Sequence, residues 1–314
     1  MELSLSTGCI YIYPLRFTFS IARESGFAGV ELVVAPEVEL RAGRYVRRLA
    51  ESYGLTIFSL HPPILPLPGW SDYRTIVPRL IDLALEAGAG YVVLHPPNAR
   101  SLADDRGRRY VEALREGLQR TEGTDVRIAL ENRAFFRPRD RGYVLSDLRE
   151  LRAFADELDL PLILDTSHAA TSSYSLAEAY HILADRLVNI HLSDLRSPPW
   201  PLDISYLHTY LKHHQMPGDG QLPLADFLSH LAADGYSGPI TLEISPIALR
   251  IWWPPSVKRQ LARCVAYVRR AFRVPCSNKR QRPPTTELLP PLTSNDRVLA
   301  LEFELHRHNL LSPD

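Results

Sequence analysis

The chain has 314 residues, 45% of them hydrophobic and 23% charged, with a formal net charge of zero. This composition describes a folded chain with a sizeable core, and charge neutrality excludes an overall electrostatic hold on nucleic acid, though not a local basic patch. Cys9, Cys264 and Cys276 are odd in number and lack C-x-x-C spacing, which argues against a disulfide framework or a zinc knuckle. With no basic leader pattern and no uncharged run near the ~20 residues that span a bilayer, the expectation is a soluble, cytoplasmic protein without a membrane partner.

In chain order, strand-length apolar runs fall at 2–6, 29–34, 55–60, 90–94, 126–130, 161–164, 187–190 and 239–242. They are continuous rather than alternating, as expected for parallel strands covered on both faces. Helical patterns lie between them, at 42–53, 74–87, 108–120, 145–158 and finally 256–272. Gly54, Gly88 and Gly238 stand before the next strand, where helix C-caps and tight turns are expected. Eight such units, with no G-x-G-x-x-G after the first strand, predict a (β/α)₈ TIM barrel over 1–273. Residues 274–314 begin with a Pro-, Ser- and Thr-rich stretch and predict a linker followed by a C-terminal tail.

Active sites of such barrels gather at the C-terminal ends of the strands. Strand 2 carries Glu31, and strands 3 and 4 end in His61 and His95. Strand 5 ends in Glu131, strand 6 in Asp165 with His168, strand 7 in His191 with Asp194, and strand 8 in Glu243. Any one of these alone reads as a helix cap, a turn residue or a satisfied polar group. Six consecutive strands ending in His, His, Glu, Asp, His and Glu are different, because that many titratable groups in one mouth need compensation. A divalent cation supplies it, and mixed imidazole and carboxylate donors suit Zn²⁺, Mn²⁺ or Co²⁺.

The ordered set His61-Pro-Pro, His95-Pro-Pro, Glu131-Asn132, Asp165-Thr-Ser-His168, His191-Leu-Ser-Asp194, the 214–220 segment HQMPGDG and the 242–245 segment LEIS resembles the xylose-isomerase-like TIM barrels. That superfamily includes sugar isomerases and epimerases and the endonuclease IV family. In the epimerase branch, residues corresponding to Glu131, Asp165, His191 and Glu243 hold one metal ion, the two glutamates move the proton, and a histidine corresponding to His168 touches substrate. In the endonuclease branch His61, His95 and Glu131 match one zinc site, and a third zinc uses His168 with an Asp-x-His pair. Here that pair reads Lys212-His213-His214, and a cation in place of an anionic ligand disfavours a third zinc.

The resemblance therefore implies a divalent-metal-dependent isomerase or epimerase of a sugar or sugar phosphate, with one or two ions per chain. Glu131 and Glu243 are the expected acid/base pair, and His61 and His95 either hold a second ion or orient substrate. His168, His214, Arg196 and Trp70 are further expected substrate contacts, and Trp200 and Trp252 are candidate covers for the site. The alternative is an endonuclease IV-like zinc enzyme acting on abasic DNA. It draws on Arg133, Arg137, Arg139 and Arg141 around Phe135 and Phe136, a pattern suited to a DNA backbone and an unstacked base. A plainer expectation pairs those arginines with local acids such as Asp140 and Asp147.

Overall fold

The computed structural model describes residues 1–198, 204 and 207–273. Eight parallel strands pair in sequence order and close on themselves: β1 (Leu3–Ser6), β2 (Gly29–Val33), β3 (Thr56–His61), β4 (Tyr91–Leu94), β5 (Arg127–Glu131), β6 (Leu162–Asp165), β7 (Leu187–Leu192) and β8 (Ile240–Leu242). The closing pair, β1 with β8, sets Leu3 against Ile240 and Leu5 against Leu242. The predicted (β/α)₈ barrel is thus the observed fold, and each strand lies within two residues of its expected place. The 274–314 tail lies outside the described residues.

Helices return the chain outside the barrel: α1 (Leu15–Ser25), α2 (Pro36–Arg41), α3 (Gly43–Ser52), α4 (Tyr73–Ala87), α5 (Asp105–Thr121) and α6 (Leu148–Glu157). They continue as α7 (Thr166–Ala169), α8 (Leu176–Leu183), α9 (His208–Leu211), α10 (Leu224–Ala233), α11 (Pro246–Leu249) and α12 (Pro254–Arg273). Their starts are chemically marked. Asp72, Asp104 and Asp147 accept first-turn backbone N–H groups of α4, α5 and α6, and Ser175 with Glu178 forms a capping box on α8. Two of the three expected glycine stops hold: Gly54 and Gly88 take left-handed backbone with φ of 63° and 71°. The third is Gly235, at φ 74°, rather than Gly238. A side chain at Gly238 would strike the Tyr236 ring, so that glycine serves close packing instead.

Between sheet and helices lies a continuous apolar layer that includes Phe19, Leu32, Ile81, Leu114, Leu164 and Leu228. The barrel interior is different. A small apolar cluster of Tyr91, Val93, Ala129 and Ile163 fills part of it, while buried Glu31, Ser59, Asn189 and Thr241 make it polar. Ser59 donates to Glu31 at 2.9 Å, and the Asn189 amide donates to Thr241 at 2.8 Å. The β2–β3 register shifts at Val30/Glu31, a local irregularity at the residue whose carboxylate is buried.

Candidate active site and metal centre

Glu131, Asp165, His191 and Glu243 arrive from β5, β6, β7 and the residue after β8, and donor atoms from all four lie within 4.8 Å of one another. Pairing of β6 with β7 sets Asp165 directly opposite His191. Nδ1 of His191 stands 3.3 Å from Oε2 of Glu131 and 3.3 Å from Oε2 of Glu243. Its Nε2 faces the other way, 3.1 Å from Glu31. A second group shares Glu131: His61, His95 and Glu131 also meet within 4.8 Å, with His95 Nε2 at 3.3 Å from Glu131 Oε2. Nδ1 of His61 lies 2.7 Å from the Pro62 carbonyl, which as a donated hydrogen bond leaves Nε2 as the free donor atom.

Asp165 shows how the turn reading and the ligand reading coexist on one side chain. Its Oδ1 caps α7, accepting the His168 N–H at 2.6 Å and the Ser167 hydroxyl at 2.9 Å. Its Oδ2 is buried without a hydrogen-bond partner. Asn132 fixes the strand end that carries it, accepting Asp165 N–H at 2.7 Å and donating to its carbonyl at 3.2 Å. That amide clamp between β5 and β6 gives the Glu-Asn pair at 131–132 a geometric reason.

The electrostatics follow from this crowding. Burial raises Glu131, but His191, His95 and His168 outweigh it and hold its carboxyl well below the usual range. Burial also raises Glu243, and the close approach and charge of His191 pull it below its ordinary value. Asp165 goes the other way, raised mainly by burial against the attraction of His168. Burial lowers His191 and His168, yet Glu31 and Glu131 lift His191 well above its ordinary value, and Asp165 with Glu131 lifts His168 to about 9. His213 is driven down to about 2 by burial and by His214 and His168.

Both Glu131 oxygens, Asp165 Oδ2 and both His191 nitrogens are buried yet make no well-directed hydrogen bond, although they approach one another closely. Buried polar atoms are ordinarily paired, and three such residues whose donor atoms meet those of Glu243 within 4.8 Å fit a divalent cation. Glu131, Asp165, His191 and Glu243 would hold it, with His191 offering Nδ1 while Glu31 receives the opposite N–H.

The remaining expected contacts divide. His168 and His214 come together at the mouth, with ring centroids 5.3 Å apart. His214 adopts left-handed backbone at φ 51°, a costly conformation for a side-chain-bearing residue, and Ser193 holds its Nδ1 at 3.3 Å. Arg196 gives its Nε–H to the Leu211 carbonyl at 3.3 Å. Trp70 departs from expectation. It is buried, donates to Glu39 at 3.0 Å and lies under the Arg79 guanidinium, so it packs a loop rather than covering the site. Trp252 is 65% exposed, and Trp200 lies outside the described residues. Asp194 is an organiser of the loop after β7: its two oxygens accept from the N–H groups of Leu195, Gly218, Gly220 and Leu222. In the arginine loop, two guanidinium groups bond the chain itself. Arg133 bonds Asn98 and the Pro96 carbonyl, and Arg141 bonds the Thr171 carbonyl at 3.0 Å. Of the expected local acids only Asp140 meets an arginine, Arg139, at 4.0 Å, while Asp147 caps α6.

Glu31 is the residue whose role sequence reasoning missed. It was visible as a strand-2 carboxylate, but its contact with His191 crosses the barrel between strands that are not neighbours.

A family model described as a xylose isomerase-like TIM barrel matches residues 19–263. An uncharacterized protein of Mycobacterium leprae is 29% identical over 273 residues, covering 80% of this chain and 91% of the relative. Fructoselysine 3-epimerase of Shigella flexneri is 22% identical over 250 residues, 74% of this chain and 85% of that enzyme. A solved D-psicose 3-epimerase from Clostridium cellulolyticum H10 superposes with a TM-score of 0.65 at 16% identity, over 88% of this chain and 100% of that one. Among the described residues no helix is long and apolar enough to cross a membrane.

Proposed function

The chain belongs to the xylose isomerase-like TIM-barrel family, and from that premise we propose that it is a divalent-metal-dependent isomerase or epimerase of a sugar or sugar phosphate. The observation that carries this reading is the placement of two carboxylates, Glu131 and Glu243, on either side of His191 Nδ1 at 3.3 Å each. The epimerases among its relatives support the substrate class. Bound by Glu131, Asp165, His191 and Glu243, a Zn²⁺, Mn²⁺ or Co²⁺ ion would act as a Lewis acid toward a substrate carbonyl.

The chain's own residues supply the proton chemistry. Moving a hydrogen next to a carbonyl takes one group to remove it and another to return it at the adjacent carbon or on the other face. Glu131 at the end of β5 and Glu243 just after β8 flank the β6 and β7 ligands and are both held ionised, the form that accepts a proton. His168 stands 3.2 Å from Glu131 and 3.8 Å from Asp165, beside the proposed ion, where it would touch the substrate. His61, His95 and His214 line the same mouth and orient hydroxyls, and the shared Glu131 leaves room for a second ion at His61 and His95. Two of the four arginines that would have favoured DNA, Arg133 and Arg141, bond this chain's own carbonyls instead.

Solvent deuterium exchange into the carbon beside a ketose carbonyl tests the reading. Glu131→Gln and Glu243→Gln keep an oxygen donor but remove the base, so exchange should fall about 10²–10⁴-fold. Metal content is measured on the same samples, which separates a lost base from a lost ion. Efficient nicking of abasic DNA with steep salt dependence, and no exchange into any ketose, would overturn it.

A further inference from the structure

Outside the barrel, three more metal-ligating side chains meet across two helices. His181 lies near the end of α8, His230 in the last turn of α10, and Asp234 caps α10. Return helices run against the strands in this fold, so these helix ends lie toward the floor of the barrel and away from the mouth.

The geometry there is that of a cation site. Nε2 of His181 and Nε2 of His230 stand 3.3 Å apart with their rings at 86°, and Asp234 Oδ2 is 3.6 Å from His230 Nε2. Donor atoms of all three lie within 4.8 Å of one another. A tetrahedral zinc with bonds of about 2.0–2.1 Å spaces its donors about 3.3–3.4 Å apart, which matches the two imidazoles. His230 and Asp234 are four residues apart on one helix face and can chelate together, while His181 reaches in from the neighbouring helix. The His230 ring is oriented from below. Buried Tyr180 meets it edge-on at 5.8 Å and is itself packed edge-on against Phe227 at 6.2 Å.

We propose that His181, His230 and Asp234 form a second divalent-cation site of the zinc class, completed by a solvent molecule, that ties α8 to α10. It shares no residue with the mouth. The ion it takes is Zn²⁺ or Co²⁺ rather than Mg²⁺ or Ca²⁺, because two of the three donors are imidazole nitrogens. Its position on the outer layer makes it a structural clamp, and turnover at the mouth does not depend on it.

Cobalt binding to the metal-freed full-length chain tests this, read by ions retained after gel filtration, by visible absorption and by the rise in thermal midpoint. His181→Ala should lose one Co²⁺ per chain, together with its absorption and its share of the thermal shift. His181→Gln, which keeps the helix surface filled, should do the same, and circular dichroism checks that both are folded. A mouth variant carrying His95→Ala, Asp165→Ala and Glu243→Ala, which removes donors from both groups at the mouth, should still retain one Co²⁺ per chain, and adding His181→Ala to it should abolish that binding. Retention of the full complement by His181→Ala, or no cobalt on the mouth variant, would overturn the proposal.

Discussion

Glu31 reaches His191 from β2, 3.1 Å from its Nε2, and is itself steadied by the Ser59 hydroxyl. A ligating imidazole needs its far N–H fixed, and removing such a partner typically costs 10–100-fold in ion affinity. Glu31→Gln should therefore weaken ion binding by about that factor while leaving Glu131 and Glu243 in place, as read by competition with a chromophoric chelator. The same histidine sets a pH dependence. In the metal-free chain His191 is an imidazolium lifted well above its ordinary value of 6.5, so an ion must displace its proton. Affinity should rise with pH, with proton release visible as a buffer-dependent binding enthalpy. Stability of the metal-free chain should run the other way. His191 and His168 are raised, so their contribution is full below 6.5 and fades as pH climbs, for His168 through about 9. Raised Asp165 also penalises higher pH, while lowered Glu131 and Glu243 withdraw their contribution only as pH falls below 4.5. Urea unfolding of the metal-free protein should thus find its maximum between about pH 4.5 and 6.5, a window set by ordinary carboxylate and imidazole values.

At the scale of the element, the loop after β7 is organised by one carboxylate. Asp194 is fully buried and takes four backbone N–H groups, and its backbone bridges to Gln215 at 2.8 Å in each direction. The loop so held includes His214, whose left-handed backbone faces His168. Asp194→Ala would leave those donors unpaired, and a loss of roughly 2–4 kcal/mol is expected from buried, charge-assisted hydrogen bonds. Gly220→Ala should act alike without touching the carboxylate's chemistry, since its new methyl would sit 2.3 Å from Asp194 Oδ1. Urea denaturation measures both. If His214 contacts substrate, KM should rise in whichever variant stays folded.

For the whole molecule, the closed barrel makes β1 and β8 neighbours and ends on α12 at Arg273. α12 packs against α1 and α10, so the first and last helices of the barrel support each other. A chain ending at Arg273 should bind the same number of ions as the full chain and unfold cooperatively; a drop in ion count would make the tail part of a site. If the proposed ion binds the folded mouth and not the unfolded chain, supplying it at 100 times its Kd should add about 2.7 kcal/mol. Chelation should remove that increment, as followed by the urea midpoint.

The sequence by itself determined the barrel, because continuous apolar runs of strand length separated by capped helical stretches admit few other closures, and the ends of those runs name the side chains that gather at its mouth. Glu131, Asp165, His191 and Glu243 are legible as a group for that reason: each lies at or beside the C-terminal end of a strand, and all such ends of one barrel face one mouth. Trp70 was misread because position in a loop does not tell which way a ring turns, and packing under Arg79 decided it. The arginines at 133 and 141 were ambiguous for the same reason, since a guanidinium bonds its own chain's carbonyls as readily as a phosphate. Only the tertiary structure brought Glu31 to His191 across the barrel, and His181 to His230 across two helices. Such pairs carry no spacing signal, because their separation along the chain is set by the elements between them and their meeting by how the sheet closes and the helices pack.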